Sequence, residues 1–384
     1  MSLMKTPLHT WHASRARMVP FAGFEMPVVY TSGSITAEHL AVRTAAGIFD
    51  VSHMGRMYVS GNDAVKFLDL LIPRNISSLS IGKVAYCYVL NEEGGFRDDI
   101  TVARTNENEF LVTWNAGNLR KIRAWFASLL GIIQAWGSIR TEITDISAGT
   151  AMFALQGPMA PDLTQRAFGV YPGSWKVASG KFKGKNVLIL GSGYTGEAGC
   201  EIVIPNVSND HPTDAINVWE SILELGSSNG VIPCGLGARD TLRMEAGMPL
   251  YGNDISEKIP AAQTGLTFSP LVDLEKPFFF GKSALVHDSM NSRLPQRVGV
   301  IATARGPSPR AGMKVFDGPT EIGTITSGSF SPLLKNGIGM AYIDRKYASG
   351  SFLTVKGEEK EISIKTTGFP LFDQDVYGSK RKKV

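Results

Sequence analysis

An α+β chain that ends in an all-strand region is what the amino-acid pattern predicts, on three observations. Strand and helix patterns alternate irregularly up to about residue 275. Beyond about residue 290 the helical period disappears and only short strand patterns remain. Glycine and proline are in excess, 41 and 20 residues in a chain of 384, about 16% where ~12% is usual. Spread without repeats or low complexity, that excess implies many tight turns and excludes a long coiled coil or a helical solenoid.

The elements follow in order. Residues 34–46 carry a helical pattern, with Ser34 as N-cap and Gly47 just past the end. A second helix is expected over Asp63–Leu71 behind Asn62. A third covers Gly117–Leu130, with Leu119, Ile122, Trp125, Phe126, Leu129 and Leu130 on one stripe. Strands are expected at Val84–Leu90, Asp99–Arg104 and Phe110–Trp114. From 145 to 275 the mixture repeats, with strands at Ala151–Leu155, Asn186–Leu190 and Cys200–Ile204. Helices are expected at Thr213–Leu225 and Arg239–Ala246. Links of varied, often hairpin length favour α+β over a regular parallel βαβ array. In the last region, Val298–Ala302, Met313–Phe316, Glu321–Thr326, Ile338–Tyr342, Phe352–Val355 and Ile362–Lys365 read as strands. Turn residues such as Asp317-Gly318-Pro319 divide them, which suggests a small β-barrel or sandwich. The boundary is expected within 275–295.

Charge narrows the function. Lys and Arg number 39 and Asp and Glu 35, a formal +4. Four of the cations form the run Lys380, Arg381, Lys382 and Lys383, so the rest of the chain is neutral. A neutral body argues against a nucleic-acid binder, whose phosphate contacts require a basic face. The basic run is expected to be a solvated, frayed end. No stretch approaches 18 apolar residues, which excludes a helical membrane span. The N-terminal residues lack the apolar core of a signal peptide. Cys87, Cys200 and Cys234 form no CxxC pair and the six histidines show no ligand spacing, so no metal site or disulfide is expected. A reducing, cytoplasmic location and an enzyme of more than one domain are the expectation.

Four segments gather chemistry. Gly191-Ser192-Gly193-Tyr194-Thr195-Gly196 matches GxGxxG, but a β-branched run ending in Pro205 follows where a nucleotide site requires a helix. A glycine-rich hairpin is the better reading, and no nucleotide is expected. Asp98 and Asp99 lie between a glycine turn and an apolar strand; neighbours on a strand face opposite sides, so one can cap the turn while the other enters a pocket. Two solvated turn residues is the plain alternative. Gly235–Gly247 starts a helix on which Arg239 and Arg243 share a face, with Asp240 and Glu245 able to neutralise them structurally. His53, in Ser52-His53-Met54-Gly55, reads first as a packed histidine.

Taken together, these segments resemble the aminomethyltransferase of the glycine cleavage system, the T-protein family. The resemblance runs through Thr6-Pro7-Leu8, Ala22–Pro27, Gly47–Gly55, Gly94–Asp99, Leu155-Gln156-Gly157-Pro158, Gly193–Glu197, Gly235–Gly247, Leu250-Tyr251-Gly252 and Ile325–Pro332. The segments occur in the family's order over nearly the whole chain. Phe24 and Phe268 depart from it, standing where the family commonly has tryptophan.

The resemblance implies a three-lobed folate-binding architecture, with mixed α/β subdomains over 1–275 (one centred on about 51–144) and an antiparallel β-barrel over 276–384. It implies transfer of a methylene carbon from an aminomethyl group on the lipoyl arm of H-protein to tetrahydrofolate, releasing ammonia and giving 5,10-methylenetetrahydrofolate. Lipoylated H-protein, and through it the other glycine cleavage components, are the implied partners. Asp99 matches the catalytic carboxylate. Glu201 and Arg239 match positions that hold the pterin, Arg239 also serving to orient Asp99; Tyr86, Asn115, Tyr194 and Met54 match lesser folate contacts. Tyr377 falls where the alignment is poor, and its contact with folate stays open. A folate-dependent demethylase of a small methylated substrate is the alternative on the same fold. A non-catalytic relative of iron–sulfur maintenance is disfavoured, because its KGCYxGQ motif is absent and Asp98-Asp99 is present.

Overall fold

A computed structural model describes residues 2–137, 139–358 and 360–382. The chain divides into two compact units, one of Met1–Tyr88, Asp98–Gly193 and Glu197–Arg239, the other of Val89–Arg97, Tyr194–Gly196 and Asp240–Val384.

In chain order the first part begins with α1 (His9–Ala13), the hairpin β1 (Ala16–Phe21) and β2 (Phe24–Tyr30), α2 (Ile35–Thr44), β3 (Gly47–Asp50), β4 (Gly55–Ser60) and α3 (Ala64–Leu71). The Ser34 hydroxyl accepts from Ala37 N and caps α2, as its sequence position suggested. Next come β5 (Val84–Leu90), β6 (Phe96–Asn106), β7 (Glu109–Trp114), α4 (Leu119–Trp136) and β8 (Glu142–Asp145). Then follow β9 (Thr150–Gln156), α5 (Ala160–Phe168), β10 (Val177–Phe182), β11 (Lys185–Leu190), β12 (Gly199–Pro205), α6 (Thr213–Gly226), β13 (Ile232–Pro233) and α7 (Leu236–Glu245).

These strands form a five-stranded sheet, β5-β6-β7-β4-β8, and a six-stranded sheet, β10-β11-β12-β9-β3-β13. The second sheet buries Ile48, Phe153, Leu155, Ile189 and Ile202 with Trp219 of α6. The Trp219 ring meets Phe153 edge-on at 5.1 Å, a geometry that adds to the area buried. Helix α4 starts behind a 3-10 turn and runs six residues past the expected end. Only Ile122, Phe126 and Leu130 of its expected stripe are buried.

Beyond α7 come α8 (Lys282–Ser289) and six strands: β14 (Gln296–Ala302), β15 (Lys314–Asp317), β16 (Thr320–Ser331), β17 (Asn336–Ile343), β18 (Phe352–Lys356) and β19 (Glu361–Thr367). They close antiparallel as β14-β17-β16-β15-β18-β19, which decides for a barrel against a sandwich. Val300, Val315, Ile325, Ile343, Val355 and Ile364 fill the interior. On the outside Met244 of α7 packs with Ile338, Met340 and Leu371. The α+β class and the closed terminal barrel are as expected.

The basic run corrects one expectation. Arg381 N donates to Gly378 O, and Lys382 donates through N to Asp375 O and through Nζ to Asp375 at 2.6 Å. Up to Lys382 the run is therefore tied to the preceding turn; Lys383 lies outside the described residues.

Candidate active site

Asp98 and Asp99 are the third and fourth residues of β6, opposite the end of β7, where Ile100 pairs with Trp114. Asn115 stands one residue beyond that pair. Its Nδ2 donates to Asp98 Oδ1 at 2.8 Å and to Asp99 Oδ1 at 2.6 Å, and its N donates to Asp98 Oδ2 at 3.1 Å. Tyr86 OH, from β5, donates to Asp99 Oδ2 at 3.1 Å. Strand alternation holds in part: Asp98 is fully buried and Asp99 half-buried. Both carboxylates nevertheless reach one amide, because Asn115 lies past the strand end. Two solvated turn residues are thus excluded.

Burial pushes the Asp98 carboxyl above the usual carboxylate range, and the adjacent Asp99 charge adds to the rise. Burial also raises Asp99, against the opposing donors Tyr86 and Asn115. The pair therefore retains a proton at a pH where an isolated carboxyl would have lost it.

Met54 and His53 lie in the turn between β3 and β4, which is fastened from two sides. Asp50 accepts from Ser52 N at 2.9 Å, Thr6 Oγ1 at 2.7 Å and His12 Nε2 at 3.1 Å. Burial would raise its carboxyl, but the His12 and Ser52 bonds outweigh that and hold it at about 2. The buried Arg56 guanidinium donates to Ser52 O, Met54 O at 2.7 Å, Ser147 O at 2.8 Å and Thr150 O and Oγ1. Its geometry uses the fixed fork of donors that only arginine carries. His53 is buried, edge-on to Phe21 at 5.6 Å. Burial, opposed by the Asp50 charge and reinforced by those of Arg239 and Arg56, pushes its imidazole down to about 3, so it is neutral.

Arg239, whose charge is felt at His53, stands on α7. Glu201 stands elsewhere, on β12, buried and paired with Ala154 of β9. Ser192 Oγ donates to its Oε2 at 2.6 Å. Tyr194 donates its hydroxyl to Pro249 O. Tyr377 is half-buried, with its N bonded to Asp373 O at 2.9 Å. Arg243 is claimed structurally by Asp240 and by Asp254 at 2.7 Å.

Asp50, Arg56 and Ser192 shape these positions without having been singled out. The signal for the first two was available in their closeness to Ser52-His53-Met54; Ser192 lay inside the glycine motif. That motif is a link between antiparallel strands β11 and β12. Its glycines serve packing: a Cβ on Gly191 would lie 1.8 Å from Gly173 O, and one on Gly193 1.9 Å from Gln156 Oε1.

Two family descriptions match the chain, the GCVT N-terminal domain over residues 8–276 and the glycine cleavage T-protein C-terminal barrel domain over 296–373. An aminomethyltransferase of Caldanaerobacter subterraneus subsp. tengcongensis is 39% identical over 394 residues, covering 100% of this chain and 98% of its own. One from Bacillus pumilus is 36% identical, covering 96% and 99%. The crystal structure of glycine cleavage system aminomethyltransferase T from Bartonella henselae matches with a TM-score of 0.83 at 32% identity, over 97% of this chain and 98% of that one.

Proposed function

The chain belongs to the glycine cleavage T-protein family, and on that premise we infer that it is an aminomethyltransferase of the glycine cleavage system. It takes the methylene carbon of an aminomethyl group on the lipoyl arm of H-protein and passes it to tetrahydrofolate, with release of ammonia. Likeness to aminomethyltransferases over the full length carries the reading.

The side chains suit a reduced folate. Glu201 is a buried acceptor with one oxygen held by Ser192, and its second oxygen is left for the N–H donors of a pterin edge. Arg239 is permanently charged and suits a folate carbonyl. Bound tetrahydrofolate supplies the nitrogen that accepts the carbon. Asp99, with its proton affinity raised by burial, provides acid–base help as ammonia departs. Asn115 and Tyr86 fix the direction of its carboxyl. Met54 contributes an apolar contact. Cys87, Cys200 and Cys234 are buried thiols outside any disulfide, which fits a reducing, cytoplasmic setting. No helix among the described residues is long and apolar enough to cross a membrane.

The test is ammonia release from aminomethyl-loaded, lipoylated H-protein with and without tetrahydrofolate. Release that depends on the folate is expected. Absence of that dependence, with folate-dependent demethylation of a methylated glycine in a parallel assay, would replace the reading by the demethylase.

A further inference from the structure

Helix α4 carries two apolar stripes; the fold buries one and covers only the first half of the other. Ile122, Phe126 and Leu130 are buried. Trp125, Leu129, Ile132 and Trp136 recur at spacings of four, three and four, which is the seam of a coiled coil. Trp125 and Leu129 are half-buried, whereas Ile132 is 55% exposed and Trp136 90% exposed. Beside the seam lie Ala124, Ser128, Gly131 and Ala135, all exposed and small enough to let a second backbone approach. Between Ala124 and Trp136 the helix has no charged residue. A solvent face normally carries such charges, and exposed apolar surface of this kind marks an interaction site.

We propose that this face pairs antiparallel with the same face of a second copy of the chain. The seam is self-complementary in that direction: Trp125 meets the partner copy's Trp136, and Leu129 meets its Ile132, twice over about a two-fold axis. Charge selects the direction. Arg120, Lys121 and Arg123 crowd the start of α4, there is no carboxylate anywhere in it, and its last turn has no cation. Parallel pairing would set the two cation clusters side by side. Antiparallel pairing keeps the clusters apart and sets each beside the partially negative carbonyl end of the other helix; Arg123 is ion-paired with Asp145 at 3.4 Å, and Arg140, which follows that end, with Asp63 at 3.8 Å. With ~150–250 Å² for each tryptophan, the pair buries on the order of 1,200 Å² in total, at the lower edge of specific interfaces. The dimer is accordingly weak and reversible, with a dissociation constant in the micromolar range.

Sedimentation velocity of the full chain from low to high micromolar concentration tests this. The parent protein is expected to shift from monomer to dimer. Ile132→Glu and Trp136→Glu, at exposed positions, should weaken the dimer at least tenfold with unchanged circular dichroism. Orientation is read with a short bismaleimide, since the native thiols are buried: Ile132→Cys should cross-link between copies and Lys121→Cys should not. A parent that stays monomeric, a dimer untouched by Trp136→Glu, or equal cross-linking at Lys121→Cys overturns the proposal. A monomeric parent whose Trp136→Glu form docks H-protein poorly would overturn it too, and assign the face to that carrier.

Discussion

Asn115 serves two carboxylates with one amide, and that economy explains why neither aspartate behaves as a turn residue. Removing the charge of Asp99 while keeping its shape isolates its role: Asp99→Asn should lower kcat by ~10²–10⁴ with tetrahydrofolate affinity essentially unchanged. Single-turnover ammonia release beside a folate titration reads both, and near-normal turnover would sink the assignment. His53 makes a second residue-scale prediction. Its pKa falls from 6.5 to about 3 on folding, so the unfolded chain binds a proton that the folded chain refuses. Stability is then unaffected above pH ~6.5 and declines as pH falls below it, by about 3 kcal/mol at pH ~4.5. The His53→Gln protein should lose that part of its acid sensitivity, seen as a smaller drop in urea midpoint between neutral and acid pH. The sequence made the carboxylate pair visible, because two acids before an apolar strand are unusual. It did not make visible their common donor, which is 16 residues beyond Asp99 and reaches it through strand pairing. His53 reads as a packed histidine from sequence, and its burial agrees; that burial is what chiefly keeps it neutral, and of the positive neighbours that add to it Arg239 is distant in the chain.

At the scale of elements, strands and helices with strong apolar periodicity were legible, and those with mixed faces were not. Val84–Leu90 and all six barrel strands stood out through β-branched and aromatic residues between turn signals. The β1–β2 hairpin did not, because Pro20, Glu25 and Pro27 interrupt it. Helix α5 buries Ala160, Leu163, Thr164 and Phe168 at helical spacing, but the proline in its first turn and the threonine within the stripe mask that period in the sequence. The nucleotide-like glycine motif shows the opposite error being avoided: the run after it has strand character, and packing then accounts for its glycines. Gly191→Ala should therefore destabilise, because its Cβ would collide with the fixed carbonyl of Gly173. A loss of about 1–3 kcal/mol is expected for such overpacking, measured as a lower urea midpoint. An unchanged midpoint would show that the Gly173 turn moves aside freely.

At the largest scale, the three thiols report on the packing of the unit that holds them all. Burial pushes Cys200 up to about 12 and raises Cys234 well above its ordinary value, and Cys87 is buried as well. An aromatic disulfide reagent at mildly alkaline pH should titrate essentially no thiol in the native protein and three in urea; fast native labelling would mean that a core opens. The balanced charge of the body was fully legible, whereas the binding of Lys382 by Asp375 was not, since a terminal basic run looks the same whether it is tied or loose. How the sheets end has a further consequence, for colloidal behaviour. The barrel is closed, so it offers no unpaired strand. In the six-stranded sheet the β13 edge is two residues long and ends in Pro233; in the five-stranded sheet the β8 edge has only four residues, with Glu142 and Asp145 at its ends. The more apolar β5 edge is met by the backbone of residues 175–177, with Val84 N donating to Trp175 O. Three different devices thus shorten or cover these edges, which leaves β10 (Val177–Phe182), the other edge of the six-stranded sheet, as the longest strand open to addition past its first residue.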